Sequence, residues 1–369
     1  MGSSTVTLLL CGDVMLGRGV DQVLPHPGDP VLREPYIGDA REYVRRAEAA
    51  NGPIPYPVGF DWPWGDALAL LDDARPDVRM LNLETSVTTA GDFDPGKSIH
   101  YRMHPANLPS LGVVRPDVCV LANNHVLDFG RRGLLETLDT LQGAGLRTVG
   151  AGRDADEAVR PAVVPVEAAG TRVVALAYGT PSSGVPDGWA AGVHTPGVDF
   201  MADTTGDAAQ RVLERVARVR TPGDVVVVSL HWGSNWGHDI ERAQTSFARR
   251  LVDGGVDVVY GHSSHHPRAL HVHGDKLILY GCGDCVDDYE GIAGYEYYRD
   301  ELRVLYLATV RPGGGLAELR MVPMRARRMR LGHADRDDAE WLAATLSRVS
   351  RRFGCAVAVD AEGDLALKG

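Results

Sequence analysis

The stretch Val225-Val226-Val227-Val228-Ser229-Leu230-His231-Trp232-Gly233 is apolar on both faces and then stops at an imidazole. A strand with one wet face alternates polar and apolar residues, whereas a strand covered on both sides reads as a continuous apolar run. This segment therefore belongs inside a sheet with a layer packed on each face. The same grammar recurs along the chain: an aliphatic run, a polar or glycine-containing turn, then an amphipathic helix. Strands are predicted at Val6–Cys11, Val78–Leu83, Val118–Ala122, Val173–Tyr178, Val225–Leu230, Val256–Tyr260, Leu277–Tyr280 and Leu302–Val310. Helices are predicted at Ala40–Ala50, Gly65–Leu71, Gly133–Ala144, Asp207–Val219, Ile240–Gly254 and Asp335–Phe353. The fold class implied is α/β.

With 369 residues, 44% hydrophobic and 24% charged, the chain has the composition of an ordinary globular protein. Two stacked sheets with covering helices can use this length as one unit, so residues 1–330 are expected to form one domain. Residues 331–369 read as a helix and small hairpin appended to it. A net charge of -11 and a pI near 5.6 exclude a general nucleic-acid binder, which needs a basic face to displace counterions. The run Arg325, Arg327, Arg328, Arg330 reads as a solvated element end rather than a phosphate patch. Thr5–Leu10 is too short for a signal sequence and lacks a basic flank. No apolar run approaches the roughly 20 residues that span a bilayer, so no transmembrane segment and a cytoplasmic location are expected. The five cysteines are scattered and odd in number, which favours packed thiols over a disulfide framework. The Pro- and Gly-rich segments 21–63 and 180–200 are long enough to shape a pocket.

Ionisable residues fall at strand ends. The first strand closes in Cys11-Gly12-Asp13, the second in Asn82-Leu83-Glu84, the third in Asn123-Asn124-His125, and the Val225 run in His231-Trp232-Gly233. The Val256 run closes in Gly261-His262-Ser263-Ser264-His265-His266. In open α/β sheets the carboxyl ends of strands lie along one rim, so distant positions can converge. Asp, Glu, Asn and His donors suit borderline-to-hard divalent ions such as Mn, Fe, Zn or Mg. Two such ions joined by a bridging carboxylate would generate a nucleophilic hydroxide for hydrolysis. Each residue also has a plainer reading: Asp13 as a turn residue, Glu84 as a loop acid, His125 and His231 as hydrogen-bonded structural histidines. Three histidines in the five residues 262–266 are harder to explain by packing, because each buried imidazole needs partners. His271 and His273 read as surface residues. His100 and His104 are candidates for the same rim, and Lys97 and Arg102 for holding an anionic substrate group.

The order of these motifs resembles the CapA family of poly-γ-glutamate capsule biosynthesis proteins, a branch of the calcineurin-like metallophosphatase superfamily. The resemblance rests on Gly12-Asp13-Val-Met15, Asn82-Leu-Glu84, Asn123-Asn124-His125 with Asp128 and Gly130, Gly150-Ala-Gly152, His231-Trp232-Gly233, Gly261-His262 and Tyr280-Gly-Cys-Gly283-Asp284, over about residues 5–310. It implies a four-layer α/β/β/α sandwich of two mixed sheets with a dinuclear metal centre at the rim. Carried over by position, Asp13 and His265, or less well His266, would bind the first metal, and Glu84 would bridge. Asn124, His231 and His262 would bind the second, with His125 and Asp128 as the catalytic acid and its companion. Two departures stand out. Met15 occupies the place of a usual histidine, and Ser264 that of a second histidine in the last motif, which implies a weakened first site. Capsule-assembly members are commonly membrane-anchored or exported, whereas this chain begins at its first strand, so a different role is expected.

Two functions compete at this stage. One is a metal-dependent hydrolase of a phosphoester or amide in a polyglutamate- or peptide-like compound. The other is a binding or assembly protein that holds an anionic small molecule or polyglutamate-like polymer against Trp62, Trp64, Trp232 and Trp236. Trp232 and Trp236 are the substrate-contacting tryptophans expected beside Lys97 and Arg102.

Overall fold

The computed structural model describes residues 5–368. Two mixed sheets lie face to face. In the first, Val6–Val14 pairs in parallel with Val78–Leu83, which is followed in the same sense by Val118–Val120 and Arg147–Val149. On its other side it pairs antiparallel with Leu302–Val310, beyond which comes Leu316–Ala326. The second sheet runs in the order Leu270–His273, Lys276–Leu279, Val258–His262, Val225–His231, Thr171–Gly179, Ala162–Val166. Its four middle strands are parallel and its two edge pairings antiparallel.

Side-chain alternation along these strands divides the interior into three apolar layers. Val225 and Val227 face the space between the sheets with Leu8, Leu10, Val78 and Met80 of the first sheet. Val226, Val228 and Leu230 face outward against the helices Gly206–Val219 and Arg242–Asp253. Leu9, Cys11, Leu81 and Leu83 face the opposite outer layer, which contains Leu134, Leu138 and Leu141 of helix Gly130–Gly143. Three cores between four layers make the α/β/β/α sandwich. The doubly apolar Val225 run exists because both of its faces are buried.

Residues 331–368 pack onto the same body. Val357–Val359 and Leu365–Leu367 extend the edge of the first sheet, and helix Arg336–Ser350 places Leu342 and Leu346 in the layer between the sheets. All five cysteines are free, and four of them are buried.

The expectation that His271 is a surface residue is overturned. It is 3% exposed, stacks on Phe353 at 4.7 Å between ring centroids, and burial lowers its pKa to about 4. A histidine neutral in the folded state but protonated at ordinary pKa when unfolded supports the fold fully above about pH 6.5. That support is lost as pH falls toward 4. Replacing His271 by Leu should therefore reduce proton uptake on unfolding near pH 5 by about one proton. Urea midpoints measured from pH 7 to 4 check this: the variant should lose stability less steeply than the parent.

Candidate metal centre

The parallel strands of both sheets end on one rim, where the polar residues predicted from strand ends meet. His231 and His262 are direct partners on neighbouring strands, and Asp13 lies opposite both Asn82 and Asp284. A shift of register between Cys11 and Asp13 turns the aspartate into the rim. Gly12 permits this because a side chain there would sit 1.6 Å from the Gly283 carbonyl oxygen. Ser263 adopts φ 101°, a strained conformation for a residue with a side chain, and its N–H donates to Asp13 Oδ2 at 3.1 Å. That bond ties the second sheet to the first.

Around Asp13 the donor atoms crowd. Asn82 Nδ2 donates to Asp13 Oδ1 at 2.7 Å and to Glu84 Oε2 at 3.2 Å, while Asn123 holds Asn82 Oδ1 at 3.0 Å. Asn124 Oδ1 is 3.0 Å from His231 Nε2, and His231 Nδ1 is 2.8 Å from His262 Nδ1. Glu84 Oε1 lies 4.0 Å from His231 Nε2 and 3.8 Å from His125 Nε2. Asp13, His231 and His262 each offer a ligand atom, all within 4.8 Å of one another. His265 meets Asp284 Oδ1 through Nδ1 at 3.1 Å and Asn235 through Nε2 at 2.9 Å.

Burial and crowding set the charge states of this cluster. Burial, reinforced by Asp284, raises the Asp13 pKa to about 7, and burial with the neighbouring Asp13 holds Glu84 far above the carboxylate range. These carboxyl groups resist ionisation because too little positive charge faces them. Burial depresses His262 to about 3, and burial together with His262 keeps His231 neutral. Neutral imidazoles beside crowded carboxylates are the donor set a divalent cation takes. The residues present therefore fit such an ion.

Next to this group, Asp128 Oδ2 accepts from His125 Nδ1 at 2.6 Å and from the Tyr101 N–H at 2.7 Å. The Tyr101 ring stacks on His125 at 3.8 Å. Burial raises Asp128 to about 6 even with Lys97 beside it, and burial plus Lys97 drives His125 well below its ordinary value. A cavity of about 210 Å³ opens over this end of the rim, lined by Tyr101, Asn235, Trp236, His265, Tyr289 and Tyr295 among others.

Of the expected site residues, Asp13, Glu84, Asn124, His125, Asp128, His231, His262 and His265 come together. Trp236 stands at the mouth, stacked on Tyr295 at 3.9 Å. Three do not serve as expected. Lys97 is bound to Asp128 and to the Asn124 carbonyl, so it orders this loop rather than waiting for an anion. Arg102 sits over the Phe129 ring, its guanidinium carbon 3.6 Å from the centroid. Trp232 is 1% exposed and donates to the Tyr280 carbonyl within the outer core. His100 bonds the Asp94 carbonyl and His104 caps a short turn, so neither joins the cluster. His266 faces Trp236 and Tyr298 instead. The Arg325–Arg330 run lines a cleft in which Arg325 pairs with Asp338 and Arg330 with Asp66. Asn82, Tyr101, Asn235 and Asp284 are site residues that strand-end reading left without a role. For Asp284 a signal existed: Cys282-Gly283-Asp284 repeats Cys11-Gly12-Asp13, and the two tripeptides lie side by side.

Fold and site together define an α/β/β/α protein with a candidate metal centre on the shared rim of its sheets. The chain belongs to the bacterial capsule synthesis protein family PGA_cap, which matches residues 7–289. A "Probable polyglutamine synthesis accessory protein" of Mycobacterium tuberculosis is 53% identical over 354 residues, covering 95% of this chain and 93% of the relative. The capsule biosynthesis protein CapA of Bacillus anthracis is 25% identical over 328 residues, covering 86% and 67%. Among solved structures, a 5'-nucleotidase precursor from Thermus thermophilus superposes with a TM-score of 0.46 at 19% identity, covering 94% of this chain and 59% of that one. Among the described residues, no helix is long and apolar enough to cross a membrane.

Chelator-treated protein should gain stability on adding manganese. An ion present at about 100 times its Kd adds about 2.7 kcal/mol to unfolding. Thermal unfolding with and without the metal checks this, and the gain should shrink in the His231→Ala, His262→Ala double variant.

Proposed function

We propose that this protein is a metal-dependent hydrolase that cleaves an amide or phosphoester in a polyglutamate-like compound. The single observation that carries the reading is the His125–Asp128 pair set beside the carboxylate and histidine cluster, with His125 Nε2 3.8 Å from Glu84. Two divalent ions, of a kind the donor set leaves open among Mn, Fe, Zn and Mg, would supply Lewis acidity and an activated water. Asp13, Glu84 and His265 would hold one, and Asn124, His231 and His262 the other.

The chain's own residues would do the rest. Asp128 accepts from Nδ1 of His125, fixing the tautomer and leaving Nε2 free to face the reacting group, as in other oriented histidine pairs. Nε2 takes up a proton as water attacks and returns it to the departing amine or alcohol. Lys97, bound to Asp128, keeps that carboxylate ionised near neutral pH. Tyr101 holds the imidazole plane by stacking and shields it from bulk water. The polymer is suggested by the relatives, two of which are named for capsule or polyglutamine synthesis. The tyrosine-rich mouth would receive the residue next to the cleaved bond.

Turnover of p-nitrophenyl phosphate and of γ-glutamyl-p-nitroanilide, with and without manganese, tests the reading. Metal-dependent release from one of the two is expected, with a loss of about 10²- to 10⁴-fold in kcat for His125→Ala, the range for a general acid–base group. The His231→Ala, His262→Ala pair should lose metal and turnover together. Bound metal with no turnover on either substrate would instead point to a protein that holds the polymer without cutting it.

A further inference from the structure

Asp284 has the surroundings of a ligand rather than of a structural acid. It is 3% exposed, and it lies on the strand Asp284–Val286, paired with Asp13 across a parallel ladder. Its Oδ1 is 3.1 Å from His265 Nδ1, while its buried Oδ2 accepts from no nitrogen or hydroxyl donor among the described residues and the group has a second buried carboxyl, Asp287, beside it. A buried carboxylate oxygen left unpaired is costly unless a cation serves it. Two ligand atoms about 3 Å apart are also what neighbouring positions around one octahedral ion require, given bond lengths near about 2.1 Å.

The donor count points the same way. Hard divalent ions take about six ligands, mainly oxygens. Asp13, Glu84 and His265 offer three to an ion on the first-sheet side of the rim, and Met15, buried two residues beyond Asp13, has no oxygen or nitrogen to add. Both aspartates are delivered by the same local device. Each follows a Cys-Gly pair, and Gly12 and Gly283 approach so closely that neither tolerates a side chain: Gly12 would strike the Gly283 carbonyl, and Gly283 holds φ 80°. Close approach of the two glycines sets Asp13 and Asp284 side by side.

We infer that Asp284 is a ligand of the first metal ion, sharing it with Asp13, Glu84 and His265. The inference rests on the metal-dependent reading above and deepens it. The first site then has four protein ligands, one of them a carboxylate from the strand after residue 283.

Calorimetric titration of chelator-treated protein with MnCl₂, with bound metal counted by mass spectrometry after gel filtration, tests the assignment. The parent should bind two ions per chain. Asp284→Ala should bind one, with the other weakened at least about 100-fold. Asp284→Asn keeps an oxygen for the His265 hydrogen bond and removes only the charge, and it should weaken the same ion at least about tenfold. In His231→Ala the surviving ion should be the one Asp284→Ala loses, so that the double variant binds none. Circular dichroism confirms that each variant is folded. Two ions bound with parental affinity by Asp284→Asn would reduce Asp284 to a group that orients His265 and overturn the inference, as would a parent that binds a single ion; in both cases the hydrolase reading survives. A parent that binds no manganese overturns both.

Discussion

Like charges brought together out of water set the terms for this molecule. Two unit charges about 4 Å apart repel by about 4 kcal/mol at an effective dielectric near 20, and removing each from water costs several more. Asp13, Glu84 and Asp284 are each at most 3% exposed on one rim. The cations that neighbour them are committed elsewhere: Lys97 to Asp128, Arg18 to Asp288 and Glu34, Arg303 to Asp287. Asp284 meets His265 at 3.1 Å, and the Arg303 guanidinium, paired with Asp287, acts on it from farther off. A fold that retains such a cluster carries a standing instability, which proton uptake or a bound cation relieves.

The architecture concentrates that instability because parallel strands from two sheets end at the same place. The inter-sheet layer fixes their relative height: Leu8 and Leu10 on one side, Val225 and Val227 on the other. The Tyr260 hydroxyl crosses this layer to bond the Cys11 carbonyl, one residue before the glycine that lets Asp13 turn inward. Packing therefore delivers the acids, and backbone detail aims them. The strained Ser263 and the close Gly12–Gly283 approach are both within a residue of a metal-capable side chain, where stored strain is expected when geometry outranks stability.

What could be read from residues alone follows the same physics. Strands covered on both faces were legible because their apolar runs are unbroken, and the polar residue that ends each run marks the rim. Leu316–Ala326 escaped because five of its eleven positions are not buried and it contains Pro323, so it lacks both periodicity and apolar continuity. Ala162–Val166 carries Pro165, tolerated because the strand is at an edge. Pairing partners were not legible: nothing in the sequence tells that Lys97 will meet Asp128 or that Arg102 will lie on Phe129. Trp232 could have been excluded, since in a strand the residue after His231 points to the opposite face. Asp284 was in view within its motif, but its role depends on which strand lies beside the first, and sequence order does not disclose that.

The charge distribution also constrains what the rim can hold. At -11 overall, with buried acids at its centre, the chain's own residues offer a polycarboxylate little attraction at this rim. Arg18 does not alter this, because it is paired with Asp288 and Glu34. Two divalent cations would bring four positive charges against three carboxylates and so reverse the sign of the local field. Metal loading would then do more than activate water: it would decide whether an anionic polymer is admitted or turned away. The tyrosine-rich mouth is consistent with this division of labour, since aromatic walls orient a ligand without contributing charge and leave the attraction to the ions below.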